Sequence, residues 1–122
     1  MTATLSYAIK FVGDMDEAVR FHLDHLGLSL RFRSPEWSEF DTGQTTLALH
    51  KASSEHPAGT CQLGFSVEHI DDFYVQRTAQ GVRGIAAPTD LHGQRLAKLA
   101  DTDGAEFSVS GKQVPTGAKG GA

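Results

Sequence analysis

Six histidines and one cysteine are the side chains in this 122-residue sequence best suited to metal, acid–base or nucleophilic chemistry, and their spacing does not gather them. No two histidines have the H-E-x-x-H spacing that puts a pair of imidazoles on one helix face. No G-x-S-x-G elbow occurs, no glycine loop is placed to cradle a phosphate, and Cys61 has no histidine arranged with it. His22 and His25 fall in a first helix, His56 in a linker, His69 at a helix start and His92 in a loop. All five read as structural or solvated, and Cys61 as a half-buried thiol at a strand edge. His50 ends a strand and reads as a rim residue rather than a catalyst. More suggestive is a short strand carrying Trp37 and Glu39 two residues apart, hence on one face. An indole makes a flat wall for a ring and wants a partner for its N–H. A carboxylate in an apolar setting lets a binder select cations or gives an enzyme a base.

The elements that must position these residues begin with the stretch from Ile9 to Leu28. Asp14 is suited to cap a helix by accepting backbone N–H groups, and Glu17 stands where a capping-box partner belongs. Met15, Val19, His22, Leu23 and Leu26 recur at helical spacing, and Gly27 is the expected left-handed stop. Alternation predicts strands over 5–12, 28–33, 37–41 and 45–51, with Leu47 and Leu49 facing the helix. The small, polar segment 52–61 reads as a linker. A second β-α-β-β-β plan follows. It has a strand at 62–68, a helix opened by His69 to Asp72 with Ile70, Phe73 and Val75 or Arg77 on its buried face, and a strand at 82–87. Residues 88–93 read as an irregular connection, and a closing hairpin turns at Asp101 to Gly104. The copies match best at an offset of 55 residues, with Tyr7 beside Gln62, Val12 beside Val67 and Asp16 beside Asp71. The fold class expected is α+β: two βαβββ modules forming an eight-stranded open cup around one cavity, helices outside. The chain is read as one domain, with module one at 5–51, module two at 62–110 and a flexible tail at 111–122.

Composition narrows the function. A net charge of −4 without any Lys/Arg cluster argues against nucleic acid as a partner. No run of about 18 apolar residues and no basic, apolar leader occur, so no membrane role or export is expected and the cytoplasm is the default. A lone cysteine, unable to form an intrachain disulfide, agrees with a reducing compartment.

Three motifs in order then carry a family resemblance: V-G-D-M-D-E-A-V-R-F with L-G-L, the F-D-T-G-Q-T-T-L-A-L hairpin, and D-T-D-G-A-E-F-S-V. Over residues 5–110 the chain resembles the vicinal oxygen chelate superfamily of glyoxalases, bleomycin resistance proteins and ring-cleaving dioxygenases. Thr102 stands where relatives usually have proline, a departure expected to leave the turn intact. In metal-dependent relatives, four strand positions present His, Glu or Gln to a divalent cation. The resemblance puts these positions at Tyr7, Ala48, Gln62 and Ser108, which together offer a phenol, a methyl group, an amide and a hydroxyl. A hard divalent ion needs several charged oxygen or imidazole donors, so this set implies no metal and no cofactor.

Strand parity through those positions turns Trp37, Glu39, Thr46 and His50 toward the same interior, and the resemblance adds Lys98, a candidate ion-pair partner for Glu39. The ligand-binding set expected is therefore Tyr7, Trp37, Glu39, His50, Gln62, Lys98 and Ser108. The reading placed first is a metal-independent small-molecule binder resembling the drug-sequestering, bleomycin-resistance branch, holding an aromatic and cationic ligand as a homodimer. The alternative is an enzyme, either a glyoxalase-type metal enzyme with a relocated site or a metal-free lyase or isomerase using Glu39 or His50 as base. An interaction module or vestigial domain comes third.

Overall fold

The computed structural model describes residues 2–91 and 93–112; the loop histidine His92 and the tail from residue 113 lie outside the described residues. The described elements are β1 (Thr4–Val12), α1 (Met15–Asp24), β2 (Ser29–Phe32), β3 (Trp37–Asp41), β4 (Thr46–Lys51), β5 (Cys61–His69), α2 (Ile70–Ala79), β6 (Arg83–Leu91), β7 (Gln94–Ala100) and β8 (Glu106–Lys112). The α+β class and the doubled β-α-β-β-β order are those read from the sequence. The chain divides into two compact units, residues 5–63, and residues 64 onward with the first four.

In the first unit the strands lie in the order β2-β3-β4-β1, with β1 parallel to β4 and the others antiparallel. Helix α1 starts where its sequence says it should. The Asp14 carboxylate accepts the Glu17 backbone N–H at 3.0 Å, satisfying one of the donors a helix start leaves open. Gly27 takes the left-handed conformation at φ 66° that a β-carbon would disfavour. The helix lays Val19 on Val12, Phe40 and Leu49, with Met15, Leu23, Leu28 and Leu47 around them. Val19, Phe40 and Leu49 are fully buried, each worth about 1.5–3 kcal/mol by removal from water. Leu26, placed on the buried stripe by its spacing, lies beyond the end of the helix and is 54% exposed. The helix therefore covers one face of these strands, and the opposite face carries its own cluster of Ile9, Phe11 and Ala48 with Tyr7, Trp37 and Ala52.

The second unit has the order β5-β8-β7-β6, with β5 parallel to β8. Helix α2 buries Ile70 and Phe73 against Val67, Ala97, Leu99 and Val109. Val75, expected on this face, is 65% exposed, while Arg77 lays its guanidinium 4.8 Å from the centre of the Phe73 ring. Strand β6 continues through Pro88 to Leu91, where the sequence suggested an irregular connection. It is the outermost strand of this unit, so proline's missing N–H costs little there, and its pairing with β7 shifts register between Ala86 and Thr89. Strand β8 likewise runs on to Lys112, two residues into the segment read as tail, because Val67 pairs with Gly111 and His69 with Lys112. The turn between β7 and β8 needs no proline. Asp101 accepts the N–H groups of Asp103 and Ala105 at 2.9 Å each, and Gly104 supplies φ 83°.

Candidate functional site

Register fixes which side chains share the helix-free face of the first unit. Tyr7 pairs with Thr46 and Phe11 with His50 across β1 and β4, while Trp37 pairs with His50 and Glu39 with Ala48 across β3 and β4. Since side chains alternate along each strand, Tyr7, Trp37, Glu39, Thr46 and His50 stand together. Trp37 meets Tyr7 edge-on at 6.0 Å between ring centroids and His50 at 5.7 Å, almost perpendicular. Phe11 lies beside His50 at 5.2 Å. The Trp37 Nε1–H donates to Glu39 Oε2 at 2.8 Å, giving the half-buried indole the partner it needs.

The other oxygen of Glu39 reveals a residue the sequence did not single out. Arg31 Nε donates to Glu39 Oε1 at 3.4 Å, and a terminal guanidinium nitrogen donates to Thr46 Oγ1. The β2–β3 pairing puts it there: Leu30 pairs with Phe40, so Arg31 comes next opposite Glu39, and a β-bulge sets Phe32 against Glu39 as well. Strand β2 is exposed at all four positions, so no hydrophobic alternation marks which of its faces matters. The usable signal would have been the short β2–β3 hairpin, in which pairing Leu30 with Phe40 brings Arg31 opposite Glu39.

Glu39 therefore pairs with Arg31 and not with Lys98. Lys98 lies in the second unit and pairs with Glu106 at 3.4 Å, while its backbone partner across β7 and β8 is Ser108. Gln62, at the start of β5, is buried at 8% exposure. The expected set thus falls into Tyr7, Trp37, Glu39 and His50 brought together in one unit, and Lys98 with Ser108 in the other. His50 is exposed, as expected of a rim residue, with Nδ1 2.8 Å from the Lys51 carbonyl. Among the remaining histidines, His22 is buried with Nδ1 2.7 Å from the Ala18 carbonyl, and His56 stacks on Phe11 at 4.5 Å. His69 lies 3.1 Å from Glu68. Cys61, expected half-buried, is an exposed free thiol.

The residues that the family resemblance puts at metal positions do not have the chemistry of a divalent-cation ligand set. Tyr7, Ala48, Gln62 and Ser108 supply no carboxylate or imidazole, and among the described residues no group of three or more His, Cys, Asp or Glu could hold an ion. Glu39, whose backbone pairs with Ala48, is an acidic neighbour of that position, but it already faces the Arg31 guanidinium, which would repel a cation.

Each unit also has a surface cleft at its helix start. One of about 460 Å³ is lined by Asp71, Asp90, Arg95 and Lys112, and one of about 450 Å³ by Asp14, Asp16 and Arg33. In each cleft an arginine is paired with aspartate. Arg95 clamps Asp71 through two 2.8 Å bonds and reaches Asp90 at 3.2 Å, while Arg33 holds Asp16 at 2.5 Å. The bidentate bonds from Arg95 hold the Asp71 carboxyl below its ordinary range and push the Arg95 guanidinium further up. Each cleft thus ties a first-turn aspartate to an arginine, Arg95 in β7 and Arg33 just beyond β2, and the two aspartates are the pair aligned by the internal repeat.

Comparison with known proteins places the chain. A family model described as Glyoxalase/Bleomycin resistance protein/Dioxygenase superfamily matches residues 4–109. The chain belongs to this superfamily. No curated protein matches it in sequence. Similar solved structures share the superfamily fold at low identity. A hypothetical protein from Bacillus halodurans C-125 is 16% identical, with TM-score 0.79 over 94% of this chain and 98% of that one. Methylmalonyl-CoA epimerase from Mycobacterium tuberculosis is 18% identical, with TM-score 0.75 over 95% and 91%. A Streptomyces coelicolor methylmalonyl-CoA epimerase variant in complex with 2-nitronate-propionyl-CoA is 17% identical, with TM-score 0.72 over 93% and 100%. Among the described residues no helix is long and apolar enough to cross a membrane.

Proposed function

We propose that this superfamily member is a metal-independent binder of a small, partly aromatic molecule, held on the first unit's helix-free face by Tyr7, Trp37, Glu39 and His50. The observation that carries the reading is the Trp37–Glu39–Arg31 network. Both carboxylate oxygens already accept hydrogen bonds, from the indole and from the guanidinium, so the group is fixed in place rather than offered to a substrate proton. Fixed polar groups beside aromatic walls suit recognition. Lys98 and Ser108 take no part in this reading. The kinship with the drug-sequestering branch of the superfamily stays within it, as do residence in the cytoplasm, supported by the single free thiol, and homodimerisation. The exposed Leu30 and Phe32 on the outermost strand β2 support the dimer, and a monomer mass by light scattering at micromolar concentration would remove it.

The chain has one tryptophan, so its indole N–H gives a single, assignable signal in proton–nitrogen NMR. Titration with a neutral aromatic probe, 2-naphthylmethanol, is expected to move that signal saturably. No movement with this probe or with its carboxylate and amine analogues would end the binding reading. The similarity to methylmalonyl-CoA epimerases favours a second reading, in which Glu39 moves a proton at a carbon next to a thioester. Racemisation of chiral methylmalonyl-CoA by metal-free protein, abolished by Glu39→Gln, would replace binding with catalysis.

A further inference from the structure

We infer that Arg31 sets the charge preference of this face, so that the ligand class is an aromatic ring bearing a carboxylate or similar anion, and not a cation as Glu39 alone would suggest. This rests on the binding reading and sharpens it. Glu39 is the one carboxylate among Tyr7, Trp37, Glu39, Thr46 and His50, and its charge is matched by the guanidinium donating to it. A cationic ligand would have to displace Arg31, which is tethered by the same strand pairing that positions Glu39 and by its bond to Thr46.

An anionic ligand meets no such competitor. A guanidinium carries five N–H groups in a rigid fork. Arg31 spends one on Glu39 and one on Thr46, and its side chain is 46% exposed. The unspent donors are those on the terminal nitrogens, the edge that binds planar carboxylates bidentately. The nearby carboxylate on the same face of β3, Asp41, turns back into its own hairpin and accepts the Gly43 N–H at 3.0 Å. The β2–β3 pairing brings an arginine from the outermost strand across Glu39, and with Trp37 and Tyr7 already packed edge-on beside it, the face combines ring walls with a cationic edge.

Three probes of one shape and different charge test this: 2-naphthoate, 2-naphthylmethylamine and 2-naphthylmethanol, each titrated against the Trp37 indole N–H signal. Wild type should bind the carboxylate about tenfold or more tighter than the amine. The chain's net charge of −4 biases non-specific binding the other way, which makes the outcome stringent. Arg31→Gln should bring the carboxylate down to the affinity of the alcohol, and Arg31→Lys should keep part of the preference. Glu39→Gln still offers an oxygen to the Trp37 N–H but removes the charge opposing the ligand, so the carboxylate should tighten about threefold. An amine bound as tightly as the carboxylate, or weaker carboxylate binding in Glu39→Gln, overturns the proposal while the binding reading stands. If none of the three binds, both fall.

Discussion

Cutting the hydrogen bond between Trp37 and Glu39 measures how firmly the carboxylate is held. Trp37→Phe keeps a ring against Tyr7 and His50 but removes the N–H, Glu39→Ala removes the acceptor, and the double variant closes the cycle. The bond is 2.8 Å long and its acceptor side chain is 21% exposed. Hydrogen bonds to charged groups contribute about 1.5–3 kcal/mol, and partial access of water to the carboxylate moves the expectation to the lower end, a coupling of about 1–1.5 kcal/mol. The Arg31–Glu39 contact is longer at 3.4 Å and 46% exposed on the arginine side, so the matching cycle with Arg31→Gln should couple by about 0.5 kcal/mol or less. The indole, rather than the guanidinium, would then be the main group that fixes Glu39, and the remaining N–H groups of Arg31 would face a ligand. Urea unfolding followed by far-ultraviolet circular dichroism gives all the free energies, since Trp37→Phe lacks the fluorescence signal. A Trp37–Glu39 coupling within about 0.3 kcal/mol of zero, or one smaller than that of Arg31–Glu39, would refute the reasoning.

A β-carbon added at Gly111 would lie 2.2 Å from the Val67 carbonyl oxygen, and backbone cannot rotate away, so Gly111→Ala should lift the end of β8 from β5 and cost about 1–3 kcal/mol. Gly13→Ala, whose β-carbon would first meet Ala58 at 3.8 Å, is the control, and equal melting temperatures for the two variants would contradict the packing. Asp71→Asn should lower stability at neutral pH but not in acid. The Asp71 carboxyl is held below its ordinary 3.8, chiefly by hydrogen bonds from Arg95, so its contribution is present above that value and lost as pH falls through the lower folded-state value. Stability curves of the two proteins that stay parallel from pH 7 down to 2 would show that the clamp does nothing.

How much of this protein its sequence specifies depends on whether the determinants are local. Asp14 and Gly27 mark the ends of α1 because capping and left-handed geometry involve neighbours only, and the β3 strand reads cleanly because alternation is a property of consecutive residues. The face shared by Tyr7, Trp37, Glu39 and His50 was legible for the same reason once the strands were placed. Reading failed where a neighbouring strand decides. Strand β6 runs through Pro88 because the chain beside it leaves that position without a need for its N–H, and β8 runs past Ser110 because Val67 and His69 have backbone partners to offer.

The partners of the charged residues were the least legible part. Composition supplies eleven Lys and Arg for fifteen Asp and Glu, and nothing in their order says which will meet. By itself the sequence determined the two β-α-β-β-β units and the rings that share one face. The tertiary structure alone decided that Glu39 faces Arg31 and that Lys98 faces Glu106. The physical reason is that an ion pair forms over a few ångströms, and which guanidinium comes that close is decided by how separate strands pair.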